Sequence, residues 1–275
     1  MKPEEPARGR LVGAAAAFVD AHLASGRVAF SLAELVQRTG LSPIAAKNQL
    51  LRLGPQVIRV SPRQQFFLIV APEHRAIGAP PVLWWLHDYM SWLRQPYYLA
   101  LQSAASTYGA NPQALQVTQV ITDRPRREVR VGRLRIVFYV KRRIQSASSQ
   151  PQANAFAPLL ISTPETTAFD LVRYAPRVGG IGGVAETLTS LLPLLRPGEL
   201  RRVLEAEDEP TTAQRLGYLL ETLGHAKLAH TVRAWLPARL PVVRLTSSFA
   251  GERKAQVNPR WKVLNNSGEA RLHLP

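Results

Sequence analysis

Apolar residues follow a helical rhythm from Leu11 to Leu53 and then give way to short alternating runs. Leu11 to Leu23 is alanine-rich and apolar on most sides, which suits a first helix in a small bundle. "SLAELVQRTG" opens with Ser31 as N-cap and Glu34 three residues on, a capping-box pattern, and closes at Gly40, a natural residue just past a helix end. "LSPIAAKNQLLRL" starts again with Ser42 as N-cap and Pro43 in the first turn. At about 100° per residue, Ala46, Leu50 and Leu53 share one side of this helix, and Ala45, Asn48, Gln49 and Arg52 the opposite arc, with Lys47 snorkelling at the edge. Gly54-Pro55 ends the helix. Val57 to Val60 and Gln65 to Val70 then read as strands around the turn Ser61-Pro62-Arg63-Gln64. Helix, turn, helix and hairpin is the order of a winged helix-turn-helix, with Arg59 and Arg63 on the wing for phosphates. A small three-helix unit with no nucleic-acid role has the same local pattern.

"APEHRAIGAPP" interrupts the periodicity and marks a boundary between a first domain over 1–75 and a second over 80–275. The stretch that follows, "PVLWWLHDYMSWLRQPYYLALQSAASTYG", reads as two apolar helices whose aromatics pack a core, stacking on unpaired bases being the other use of such residues. Strands alternate from Leu115 to Arg143, with turns at Asp123-Arg124-Pro125-Arg126 and near Gly132. A polar loop, "QSASSQPQANAFAPLL", precedes a helix capped at Ser162 or Thr163 with Pro164 in its first turn. Short helices continue to Trp235, and "PVVRLTS" and "RWKVLNNSGE" form a closing strand pair. The fold class expected is α+β, an N-terminal winged helix-turn-helix followed by a larger mixed α/β domain.

Charge changes the picture. Over 275 residues, 35 Lys and Arg stand against 19 Asp and Glu, a formal net charge of +16. Such an excess favours polyanions through counterion release without conferring sequence preference. It is densest where Arg124, Arg126, Arg127, Arg130, Arg133, Arg135, Lys141, Arg142 and Arg143 surround Glu128. Alternation along a strand would place much of this charge on one face, for an acidic protein surface or for phosphates.

The absence of cysteine removes disulfide scaffolds, thiolate metal sites and a cysteine nucleophile. Apolar runs are too short or too interrupted for a membrane span, and Glu4-Glu5 and Asp20 argue against a signal peptide, so a cytoplasmic location is expected. Gly179-Gly180-Ile181-Gly182-Gly183 could turn backbone N–H groups to a phosphate, but no Gly-Lys-Ser/Thr follows it, and a flexible helix start is the simpler reading. A nuclease site would need converging carboxylates, for which only Glu252-Arg253-Lys254 and a distant Asp170 offer themselves. His87-Asp88 has no second ligand cluster beside it. No catalytic residue, metal site or cofactor is expected. A plain transcription factor with a ligand-sensing second domain stays open, since the aromatic segment could line a pocket.

"YYLALQSAASTYG", "STPETTAFDLVRY" with a following Gly-Gly, "AQRLGYLLETLG" and "PRWKVLNNSGE", in that order and spacing, resemble the AbiEi family of antitoxins and transcriptional regulators of type IV toxin–antitoxin systems. The resemblance implies a non-enzymatic repressor that binds inverted repeats in its own promoter and counteracts a nucleotidyltransferase toxin. By position, it assigns DNA reading to Ser42, Ala45, Asn48, Gln49 and Arg52 with Arg59 and Arg63 on the wing. It assigns a basic patch for toxin or nucleic acid to Arg124, Arg126, Arg127, Arg130 and Arg133. The alanine-rich N-terminus and the glycine-free turn Ser61-Pro62-Arg63 depart from many relatives.

Overall fold

A computed structural model describes residues 13–110, 117–152, 158–247 and 255–267. The chain begins with α1 (Ala14–Ala24), β1 (Ala29–Ser31), α2 (Leu32–Thr39), α3 (Pro43–Arg52), β2 (Val57–Arg59) and β3 (Phe66–Ile69). Local chemistry sets these bounds. The Ser31 hydroxyl accepts the Glu34 N–H at 3.1 Å, and Gly40, at φ 71°, closes α2. The Ser42 hydroxyl accepts the Ala45 N–H at 3.2 Å, and Pro43 fills the first turn of α3. Glu34 does not complete a capping box, because its carboxylate accepts from Arg27 Nη1 at 2.7 Å.

β3 is the centre of a three-stranded antiparallel sheet, order β1-β3-β2. Its alternation serves two cores. Phe67 and Ile69 join Phe30, Leu35, Ala46 and Leu50 under the three helices. Phe66 and Leu68 face the other way, into a cluster with Trp85, Tyr89, Leu99 and Ile136.

The 71–81 segment leads to α4 (Leu86–Trp92), β4 (Tyr97–Leu99) and α5 (Leu101–Thr107). The aromatic stretch thus holds a strand between two short helices, where sequence periodicity suggests helices alone. All three β4 residues are buried, and an apolar run buried on both faces has no alternation to betray it. Its aromatics are mostly core: Trp85, Tyr89, Tyr97 and Tyr98 are buried. β4 lies inside a six-stranded mixed sheet, order β6-β7-β5-β4-β9-β8, built from β5 (Val117–Thr122), β6 (Val129–Val131), β7 (Leu134–Val140), β8 (Ser149–Gln152) and β9 (Leu159–Ser162). β8 occupies what the sequence presents as a polar loop. It is an exposed edge strand, so no apolar face marks it.

α6 (Pro164–Arg173), capped by Thr163, is followed by α7 (Gly180–Leu191), α8 (Pro197–Glu207), α9 (Pro210–Thr222) and α10 (Ala226–Trp235). These pack into a third core with Phe169, Leu188, Leu216 and Trp261. β10 (Val243–Arg244), β11 (Gln256–Val257) and β12 (Val263–Asn265) close the chain, β10 parallel to β12.

Two close approaches fix the assembly. In the β6–β7 turn, Gly132 has φ 56°, and a Cβ there would fall 2.3 Å from the Ile77 carbonyl oxygen. That oxygen accepts the Arg133 N–H at 2.9 Å, so the 71–81 segment is pressed against the turn. On α9, a Cβ at Gly217 would fall 2.1 Å from the Trp261 ring. Among the described residues, no helix is long and apolar enough to cross a membrane.

Candidate nucleic-acid interface

α3 presents a face rotated from the arc that the helical wheel favours. Ile44, Lys47, Asn48, Leu51 and Arg52 are exposed, together with Ser42 at the N-cap. Ala45 is half-buried against the helical core. Gln49 is also half-buried, and its Oε1 accepts the Ala15 N–H at 2.9 Å, tying α3 to the start of α1. Lys47 belongs to the exposed face instead of its edge, because Leu51, which a hydrophobic count would bury, stands in solvent.

The β2–β3 hairpin shares a core with this helix, Val57, Phe67 and Ile69 clustering with Ala46 and Leu50. Arg59 is exposed, with its guanidinium over the Phe67 ring and Nη1 donating to the Pro62 carbonyl at 3.2 Å. Arg63 is exposed at the turn tip. The turn is held from behind: Tyr89 OH donates to Gln64 Oε1 at 2.9 Å.

Across from this turn stands the arginine-rich segment. Residues 61–64 and 125–130, with Val60 and Tyr89, line one groove of about 670 Å³. Arg63 from one side and Arg126, Arg127 and Arg130 from the other therefore share a cleft, although they are far apart in sequence. Arg126 is half-buried, donates to Gln95 Oε1 at 3.0 Å and lies over Phe138. Arg124 and Arg127 are exposed, and Arg124 Nε donates to Asp123 Oδ2 at 3.2 Å. Glu128 is engaged by Arg130 and Arg135, and hydrogen bonds from Arg135 first, then from Arg130, hold its carboxyl down to about 2. Arg133 is exposed on the β6–β7 turn.

Lys141 leaves this charged surface altogether. It is 1% exposed, and its Nζ donates to Asp170 Oδ1 and to Tyr98 OH, both at 3.1 Å, and pairs with Glu207. Tyr98 OH in turn donates to Asp170 Oδ2 at 2.7 Å. Arg173 binds Glu207 at 3.2 Å and Glu209 at 2.7 Å. Burial raises the Glu207 carboxyl above the usual carboxylate range, with Lys141 opposing. Asp170, fully buried, is thus the centre of an ion-pair cluster joining β4, the residue after β7, α6 and α8. Glu252-Arg253-Lys254 lies outside the described residues. Among those described, no three His, Asp or Glu side chains gather as a metal site. His87 Nδ1 is 3.1 Å from Tyr97 OH, and burial raises the neighbouring Asp88 carboxyl.

Sequence reasoning missed the groove because its two walls meet only in the fold. The paired arginine signals on either side of the 71–81 segment were its sole trace.

The sequence model described as AbiEi antitoxin C-terminal domain matches residues 98–222. No curated protein matches the chain. Among solved structures, the crystal structure of RV2827C protein from Mycobacterium tuberculosis is similar over 91% of this chain and 90% of that one, with 18% identity and a TM-score of 0.64, a likeness of fold. An antigenic nucleotidyltransferase-like protein from Paracoccidioides brasiliensis aligns over 57% of this chain and 93% of its own, at 11% identity and a TM-score of 0.38, too low for a shared fold.

Proposed function

We propose that this chain is the antitoxin of a type IV system and represses its own operon, a reading supported by the match of residues 98–222 to the AbiEi antitoxin C-terminal domain model. Residues 1–75 act as a winged helix-turn-helix on inverted repeats in the promoter, and 80–275 counteract a nucleotidyltransferase toxin. The helix order, the capped α3 and the hairpin that shares its core support the first part.

The observation that carries the DNA reading is the groove in which Arg63 faces Arg126, Arg127 and Arg130. In this reading the hairpin turn and the arginine turn hold backbone phosphates from the two walls of the cleft. Asn48 and Arg52 are the donors and acceptors placed for base edges, with Ser42 at the helix start and Arg59 and Arg63 on the wing. Ala45 and Gln49 sit at the margin of that face. Arg124 and Arg133 extend the positive surface beyond the cleft.

The test is a salt-series binding titration of the full chain on its own upstream DNA against scrambled duplex. Preferential binding, lost in Asn48→Ala/Arg52→Ala with unchanged thermal unfolding, is expected; each good base contact contributes about 1–3 kcal/mol of discrimination. Arg127→Ala should weaken both duplexes alike and reduce the salt slope by about one. Equal affinity for both duplexes in the parent protein would end the repressor reading. Co-expression with the product of each neighbouring gene in turn tests the other half, the expected result being rescue of growth from one that is toxic alone and has nucleotidyltransferase activity.

A further inference from the structure

The exposed side of α3 is not uniformly polar. Ile44 is 74% exposed and Leu51 80%, the two largest exposures among the large apolar side chains of the described residues. Seven positions apart, they lie two turns from one another on the same azimuth, roughly 10 Å along the axis. Lys47 and Asn48 stand between them and Arg52 beside them, all exposed. From Glu34 to Glu73 the sequence places five basic residues and no acid between the two glutamates.

The occupant of such a face must offer negative charge at its rims and small apolar spots on its floor. A two-fold contact uses the same patch on both copies, so a second copy of the chain would set Lys47 and Arg52 against an equally basic helix face that carries no acid, and like charges would oppose it. The DNA major groove offers the fitting pattern: phosphates along both edges and, on the floor, the C5-methyl of thymine beside the adenine edge that an asparagine can bind bidentately.

Resting on the reading of α3 as the DNA-contacting helix, we infer that Ile44 and Leu51 contact thymine methyl groups and make this helix selective for A·T pairs at two positions. With a rise of 3.4 Å per base along a strand, their separation corresponds to about three base steps. Asn48, midway, faces the intervening pairs.

Deoxyuridine pairs as thymidine does but lacks the methyl, so it isolates this contact. Affinity is measured for the full chain on its own upstream duplex, with thymidine replaced by deoxyuridine one position at a time. Two positions, about three steps apart in each half-site, should weaken binding about four-fold, the value of one buried methylene. Ile44→Ala should abolish the sensitivity at one position and Leu51→Ala at the other, and both exposed substitutions should leave thermal unfolding unchanged.

If the upstream duplex is still preferred over scrambled DNA but deoxyuridine has no effect anywhere, the methyl contact is refuted and the DNA reading survives. If the upstream duplex is not preferred at all, the DNA reading fails and takes this inference with it. A parent protein that sediments as a dimer without DNA, and becomes monomeric on Ile44→Ala/Leu51→Ala, would assign the face to self-association and overturn the inference.

Discussion

His22 shows how much a single side chain can be asked to absorb. It is 3% exposed, packed 4.2 Å from the Phe18 ring centroid and edge-on to Phe30, with Nε2 3.4 Å from Glu34 Oε1. Burial first, then Arg27, hold its imidazole below the usual value, while Glu34 pulls the other way. A base whose folded value is depressed binds fewer protons than the unfolded chain does. Stability is therefore fully present above about pH 6.5 and drains as pH falls toward the folded value. Thermal unfolding at pH 7.5 and 5.5 should show the loss, and His22→Gln should flatten it even while lowering the midpoint at pH 7.5. An unchanged pH slope in the variant would place the acid sensitivity elsewhere. Side chains also show where sequence runs out. Ser31, Gly40 and Ser42 are legible because their partners lie within four residues. Gln49 finds its partner 34 residues away and Lys141 meets Asp170 across 29, so a face count places both in solvent.

Among elements, α9 and β12 are joined by an absence. Gly217 leaves room for the fully buried Trp261 ring, whose Nε1 donates to Glu221, while Gln214 Nε2 donates to the Trp261 carbonyl at 2.9 Å. Alanine in a helix interior ordinarily gains about 1 kcal/mol over glycine. Here the added methyl must displace a ring in a closed core, an overpacking cost of about 1–3 kcal/mol. Gly217→Ala should therefore lower the denaturant midpoint and shift tryptophan emission to the red; a raised midpoint would mean that the ring can move aside cheaply. The stretches that carry the family resemblance prove to be neighbours: Tyr98 bonds to Asp170, and Gly217 receives Trp261. The hidden elements are β4, too apolar to alternate, and β8, too polar to be suspected.

Over the whole molecule, β3 feeds two cores from its two faces, and the second of these reaches the six-stranded sheet. The helical unit and the sheet should consequently melt together. Calorimetry of the intact chain is expected to show one transition, whereas two well-separated transitions would show that the shared face contributes little. Composition marks 71–81 as a break in periodicity, and the segment holds no α-helix or strand. What composition cannot show is that the segment is clamped. With the Ile77 carbonyl bonded to the Arg133 N–H and no room for a Cβ at Gly132, the passage between the two halves is a rivet and not a swivel. The hairpin turn and the arginine turn therefore stand at a set gauge, like the jaws of a caliper locked at one opening. A partner seated between them must match that opening or bend until it does.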